Sequence, residues 1–150
     1  MKKLSLLILI AFLSFSCSSS DDNDTDLIIA KWQVGKTIIF PVAESSYTID
    51  PDECHLLSTY TFRNDKTIKV INYEPDNEGK CELDSVNFEY YNWTKIKDGE
   101  YRITSKKMNE PEEIDVKNVT FHGNEMIWTV EIEVQGILRT LKKQYFTLQN

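Results

Sequence analysis

The chain is predicted to be all-β, an eight-stranded antiparallel up-and-down β-barrel, with a two-sheet β-sandwich as the alternative. Three observations point there. Apolar side chains recur at every second position over long stretches, the spacing of a strand with one buried face. The joints Asn64-Asp65-Lys66, Lys97-Asp98-Gly99, His122-Gly123-Asn124 and Gln135-Gly136 are short and rich in turn residues, and short joints make antiparallel neighbours. After residue 26 no segment has the spacing of an amphipathic helix of three turns, although Pro41 to Cys54 is long enough to hold a short one.

The first element precedes the fold. Met1-Lys2-Lys3 is a positive n-region, and Leu4 to Phe15 is apolar but shorter than the roughly 20 residues a membrane-crossing helix needs. Residues 1–16 therefore read as a signal peptide. The segment ends on Leu13-Ser14-Phe15-Ser16-Cys17, which resembles the lipobox cut by lipoprotein signal peptidase. The usual box has Leu where Ser14 stands, and this looser form is similar to that of Bacteroidetes lipoproteins. Cys17 is the expected lipid attachment site, carrying acyl chains such as palmitate.

Residues 17–26 follow as an acidic tether. Ser18 to Asp26 contains nothing to bury, so no hydrophobic gain offsets the entropy of ordering it. A serine and then an acidic cluster after the cysteine resembles the export signal that carries Bacteroidetes lipoproteins to the outer face of the outer membrane. A lipid-anchored, outer-membrane, surface-facing location is expected. Asp22, Asp24 and Asp26 have the spacing that opens an EF-hand loop, but Leu27 stands where the turn glycine is required and Gln33 where the bidentate glutamate is. No metal and no other cofactor is expected.

Removing residues 1–16 takes away Lys2 and Lys3, leaving 15 of the 17 basic residues against all 24 acidic ones, a net charge of about −9. That sign argues against nucleic acid and anionic membrane surface as partners. Attachment to the membrane then falls to the lipid, whose two or three chains hold far more firmly than one. Cys54 and Cys81 remain after processing in a chain that leaves the reducing cytosol, and an even count there reads as a disulfide across the hairpin that turns at Asn64 to Lys66. There is no CxxC, and His55 beside Cys54 lacks ligand spacing.

Residues 27–150 are enough for one core and too few for two. In Ile28 to Phe40 the even positions Ile28, Ala30, Trp32, Val34, Ile38 and Phe40 are apolar, which makes one long strand. Lys36 breaks the rule just after Gly35; it marks either a bulge that turns the lysine outward or a ligand-facing lysine. Seven further strands are expected at His55 to Arg63, Thr67 to Tyr73, Asn87 to Ile96, Glu100 to Lys106, Glu113 to Phe121, Glu125 to Val134 and Ile137 to Leu148. Within the sixth of these, Met126, Trp128, Val130, Ile132 and Val134 share a face. In Phe88-Glu89-Tyr90-Tyr91-Asn92-Trp93, alternation forces one pair of large rings outside.

The Trp32 strand opening, the strand and turn Ser58-Thr59-Tyr60-Thr61-Phe62-Arg63-Asn64-Asp65 between the cysteines, and the late Met126-Ile127-Trp128 strand resemble the lipocalin-like domain lipoproteins of Bacteroidetes. The resemblance spans about residues 27–148. Lipocalins generally open with Gly-x-Trp, where this chain has Ala30-Lys31-Trp32. The resemblance implies a calyx that takes a small apolar ligand, with Trp32, Val34, Trp128 and Val130 as its candidate lining. The alternative is a filled core whose outer surface serves as an interaction or accessory module. A monomer is expected, and an enzyme is not: His55 and His122 lie in no nucleophile or metal motif, and Asp52-Glu53 and Glu112-Glu113 sit beside prolines in expected loops.

Overall fold

A computed structural model describes residues 25–84, 88–134 and 137–149. The expected signal peptide, Cys17, most of the tether and the Gln135-Gly136 turn lie outside them. Strands β1 (Lys31–Pro41), β2 (Tyr47–Ile49), β3 (Thr59–Phe62), β4 (Ile68–Pro75), β5 (Cys81–Asp84), β6 (Phe88–Lys97), β7 (Glu100–Lys107), β8 (Glu113–His122), β9 (Glu125–Val134) and β10 (Ile137–Leu148) form one antiparallel sheet. Its order is β5-β4-β3-β1-β10-β9-β8-β7-β6, with β2 paired to β1 off that path.

The fold is thus all-β and antiparallel, with ten strands among the described residues where eight are expected from sequence. The eight are β1, β3, β4 and β6 to β10, in meander order with the break between β4 and β6. The sheet curls until those two strands meet at the bridge between Thr67 and Asn92, where the Trp93 amide donates to the Lys66 carbonyl at 2.8 Å. It does not close into a barrel. β5 pairs with the far end of β4, over Asn72 to Pro75, and forms the sheet edge there. Register shifts in β1, β6 and β10 supply the local bends that a curling sheet needs.

The bulge expected at Gly35 lies between Val34 and Thr37. It leaves Lys36 on the outer face, its Nζ 5.1 Å from the centre of the Tyr145 ring. The extra residue also reverses the alternation beyond it. Thr37 and Ile39, opposite Gln144 and Lys142, now share the face of Trp32 and Val34, and Ile38 and Phe40 take the outer one. The expectation that Ile38 and Phe40 lie beneath Trp32's face fails for this reason.

The two additional strands are short and pattern-poor. β3 covers β1 only over Lys31 to Gln33, and β2 covers it over Thr37 to Ile39. Between them sits a 3₁₀ turn, His55–Leu57, where a strand is expected from sequence. The Asp52 carboxylate accepts the His55 amide at 2.8 Å, an Asx-type contact that competes with extended backbone. The Cys54–Cys81 disulfide, expected from the cysteine count, ties this turn to β5.

Candidate functional site

The inner face of the curled sheet is packed solid at one end. There Ile28, Trp32, Phe62, Trp93, Tyr101 and Val119 are all buried. Alternation on β6 resolves as Tyr91 and Trp93 inward, while the Tyr90 hydroxyl hydrogen-bonds Glu112 on the other side. The indole N–H of Trp32 donates to the Ile28 carbonyl at 2.9 Å, and that of Trp93 to the Arg63 carbonyl at 3.1 Å, so neither ring buries an unpaired donor. The Tyr101 hydroxyl donates to Asp26 at 2.6 Å, fastening the last tether residue to the core. Burial, then the Asp26 carboxylate, pushes the Tyr101 hydroxyl above its ordinary pKa. A cleft of about 550 Å³ opens at this end beside Leu27, Lys95 and His122.

Above this floor lies a layer of rings. Trp128 contacts Tyr60, Phe62 and Phe146 with ring centres 5.7, 6.1 and 4.6 Å away. Aromatic pairs at these separations gain about 0.5–1.5 kcal/mol each beyond area burial.

Beyond the rings the inner face turns polar and is no longer filled. Two clefts of about 270 and 170 Å³ share Val34, His55 and Gln144. The local register explains this lining. Val34 pairs with Phe146, and Gln144 pairs with Trp128 and Thr37, so both side chains stand on the inner face directly above the rings. His55 reaches the same space from the 3₁₀ turn, its Nδ1 2.8 Å from Asp52 Oδ1. The His55 backbone N–H, followed by its imidazole, holds the Asp52 carboxyl below the usual range.

The facing wall carries the second polar group. Asp115 is opposite buried Ile103 and Lys117 opposite buried Tyr101, which turns both inward. Lys117 Nζ lies 2.5 Å from Asp115 and 5.9 Å from the centre of the Trp128 ring. Tyr91 stands edge-on to Tyr60 at 6.5 Å, and burial, then the neighbouring Tyr60, Asp115 and Glu113, raises its hydroxyl pKa. Buried or half-buried ionic groups on a sheet's inner face are costly unless paired, and here they are paired.

Of the four lining residues expected from sequence, Trp32 and Trp128 belong to the packed core, at 2% and 5% exposure. Val34 lines both clefts. Val130 is half-buried on β9, opposite Lys142. Sequence reading missed Gln144, His55, Asp115 and Lys117. Alternation could have found the last two, since Asp115, Lys117, Val119 and Phe121 share a face; nothing marked His55 beyond its neighbouring cysteine. Among the described residues no three His, Cys, Asp or Glu side chains are placed to hold a metal ion. No family model, no curated protein and no solved structure matches the chain.

Proposed function

We propose that this chain is a surface-exposed lipoprotein of the lipocalin-like kind found in Bacteroidetes, anchored through Cys17, whose eight meandering strands act as a shallow calyx for one small, largely apolar ligand. The observation that carries this reading is the half-filled inner face. A packed aromatic floor underlies two adjoining clefts that share Val34, His55 and Gln144. A seat with an apolar base and a few convergent polar groups is the ordinary composition of a ligand pocket. At about 270 and 170 Å³ the clefts are small, which limits the occupant to a compact molecule or to one end of a longer one.

The burial of Trp128 favours the second reading, a filled core whose outer surface meets a protein partner. Native mass spectrometry of the mature domain purified from cells, before and after organic extraction, separates the two. A bound mass removed by extraction supports the calyx. No bound mass, together with no saturable uptake of fluorescent alkyl probes, leaves the surface module. Metabolic labelling with a fatty-acid analogue checks the anchor: wild type takes the label and Cys17→Ala does not.

A further inference from the structure

Resting on the calyx reading, we infer that the clefts select a ligand by a hydrogen-bond-donating head group, a hydroxyl or an ammonium, and reject a carboxylate head. Three carboxylates, Asp50, Asp52 and Glu74, line the two clefts, and among the described residues no lysine or arginine lines either. A carboxylate head entering there meets like charge with no lysine or arginine in the described lining, whereas an ammonium meets opposite charge. Inward lysines stand outside both linings: Lys142 two residues along β10 from Gln144 and opposite Ile39, and Lys117 on the facing wall, held by Asp115 at 2.5 Å.

His55 sharpens the preference. It lines both clefts, and its Nδ1–H is engaged by Asp52 at 2.8 Å. In a neutral imidazole with Nδ1 protonated, Nε2 carries the lone pair and accepts a hydrogen bond. The Gln144 amide, at the same level, offers an acceptor oxygen beside its NH2 donor. Val34 and Tyr60 lie below as apolar contact for the adjoining chain of the ligand. The Cys54–Cys81 disulfide sits next to His55 in sequence and pins the turn that presents it. An acceptor-rich rim over an apolar base thus matches an alkyl alcohol or amine and mismatches a fatty acid.

The test uses the mature domain and three probes of equal chain length, decanol, decylamine and decanoate, titrated by calorimetry at pH 8, where the amine is cationic and the acid anionic. Decanol or decylamine is expected to bind at least about tenfold more tightly than decanoate, which is about 1.4 kcal/mol. The comparison of the first two tells which donor is read. In the Asp50→Asn/Glu74→Gln double variant, both changes at exposed positions, decanoate should gain and the preference should shrink to within about threefold. Decanoate binding as tightly as the others in wild type overturns the head-group inference while leaving the calyx standing. An undiminished preference in the folded double variant also overturns it. Binding of none of the three overturns the inference and the calyx reading together.

Discussion

The Trp128 indole and the Phe146 phenyl lie 4.6 Å apart, centre to centre, and tilted by 50°. With Phe146 1% exposed and Trp128 5% exposed, this pair belongs to the packed floor of the inner face. Trp128→Ala is therefore expected to cost about 3–5 kcal/mol, lost transfer energy plus a cavity. Urea unfolding of the mature domain reads it. A loss below about 1 kcal/mol would mean that Trp128 borders open space instead.

Gly35 is constrained by space. A Cβ built there would come 2.9 Å from the Tyr145 carbonyl oxygen, a backbone atom that cannot swing aside. Gly35→Ala should cost about 1–3 kcal/mol, the usual range for forced overpacking. Thermal unfolding measures this, and a variant as stable as wild type would show that the bulge yields freely.

The same bulge explains what the sequence made legible and what it did not. Long strands with sustained alternation, such as Met126, Trp128 and Val130, could be placed to the residue because one face enters the core, Met126 and Trp128 buried and Val130 half-buried. Past Gly35 the alternation of β1 reverses, and only the register with β10 reveals it. β2 and β5 are three and four residues long with mostly exposed side chains, so they carry no period to read. At the site, Val34 was legible as an apolar inward position. His55 was not, because its place over the inner face follows from a side chain–backbone contact to Asp52 and a disulfide to a strand 27 residues away.

That disulfide is the covalent tie between the 3₁₀ turn and the β5 edge, and no residue of the turn itself is buried. Cys54→Ser/Cys81→Ser is expected to lose about 3–4 kcal/mol through the freed loop entropy of the unfolded chain. Hydrogen exchange should also rise around His55 to Leu57 and Cys81 to Asp84 more than in β9. Uniform acceleration across all strands would argue that the bond stabilises the fold globally without locally holding the turn.

Tyr91 and Tyr101 both have hydroxyl pKa values raised above the ordinary 10.0, first by burial and then by neighbouring groups that include carboxylates. Each therefore favours the folded state in its neutral form. At pH values below 10 both the folded and unfolded chains keep the proton, and the full contribution is present. As pH rises past 10 the unfolded chain releases these protons first, so it binds fewer than the native state and stability falls with pH. The wild-type domain should thus lose stability progressively from about pH 10 to about pH 11.5 in urea titrations. Tyr91→Phe/Tyr101→Phe lacks two such protons, keeping that of Tyr60, whose hydroxyl pKa burial also raises, and should show a shallower decline over the same interval. Its absolute stability will also change, because Asp26 loses the hydroxyl that donates to it at 2.6 Å, so the slope against pH is the quantity to compare. Parallel slopes for the two proteins would place the alkaline sensitivity elsewhere and remove Tyr91 and Tyr101 as its cause.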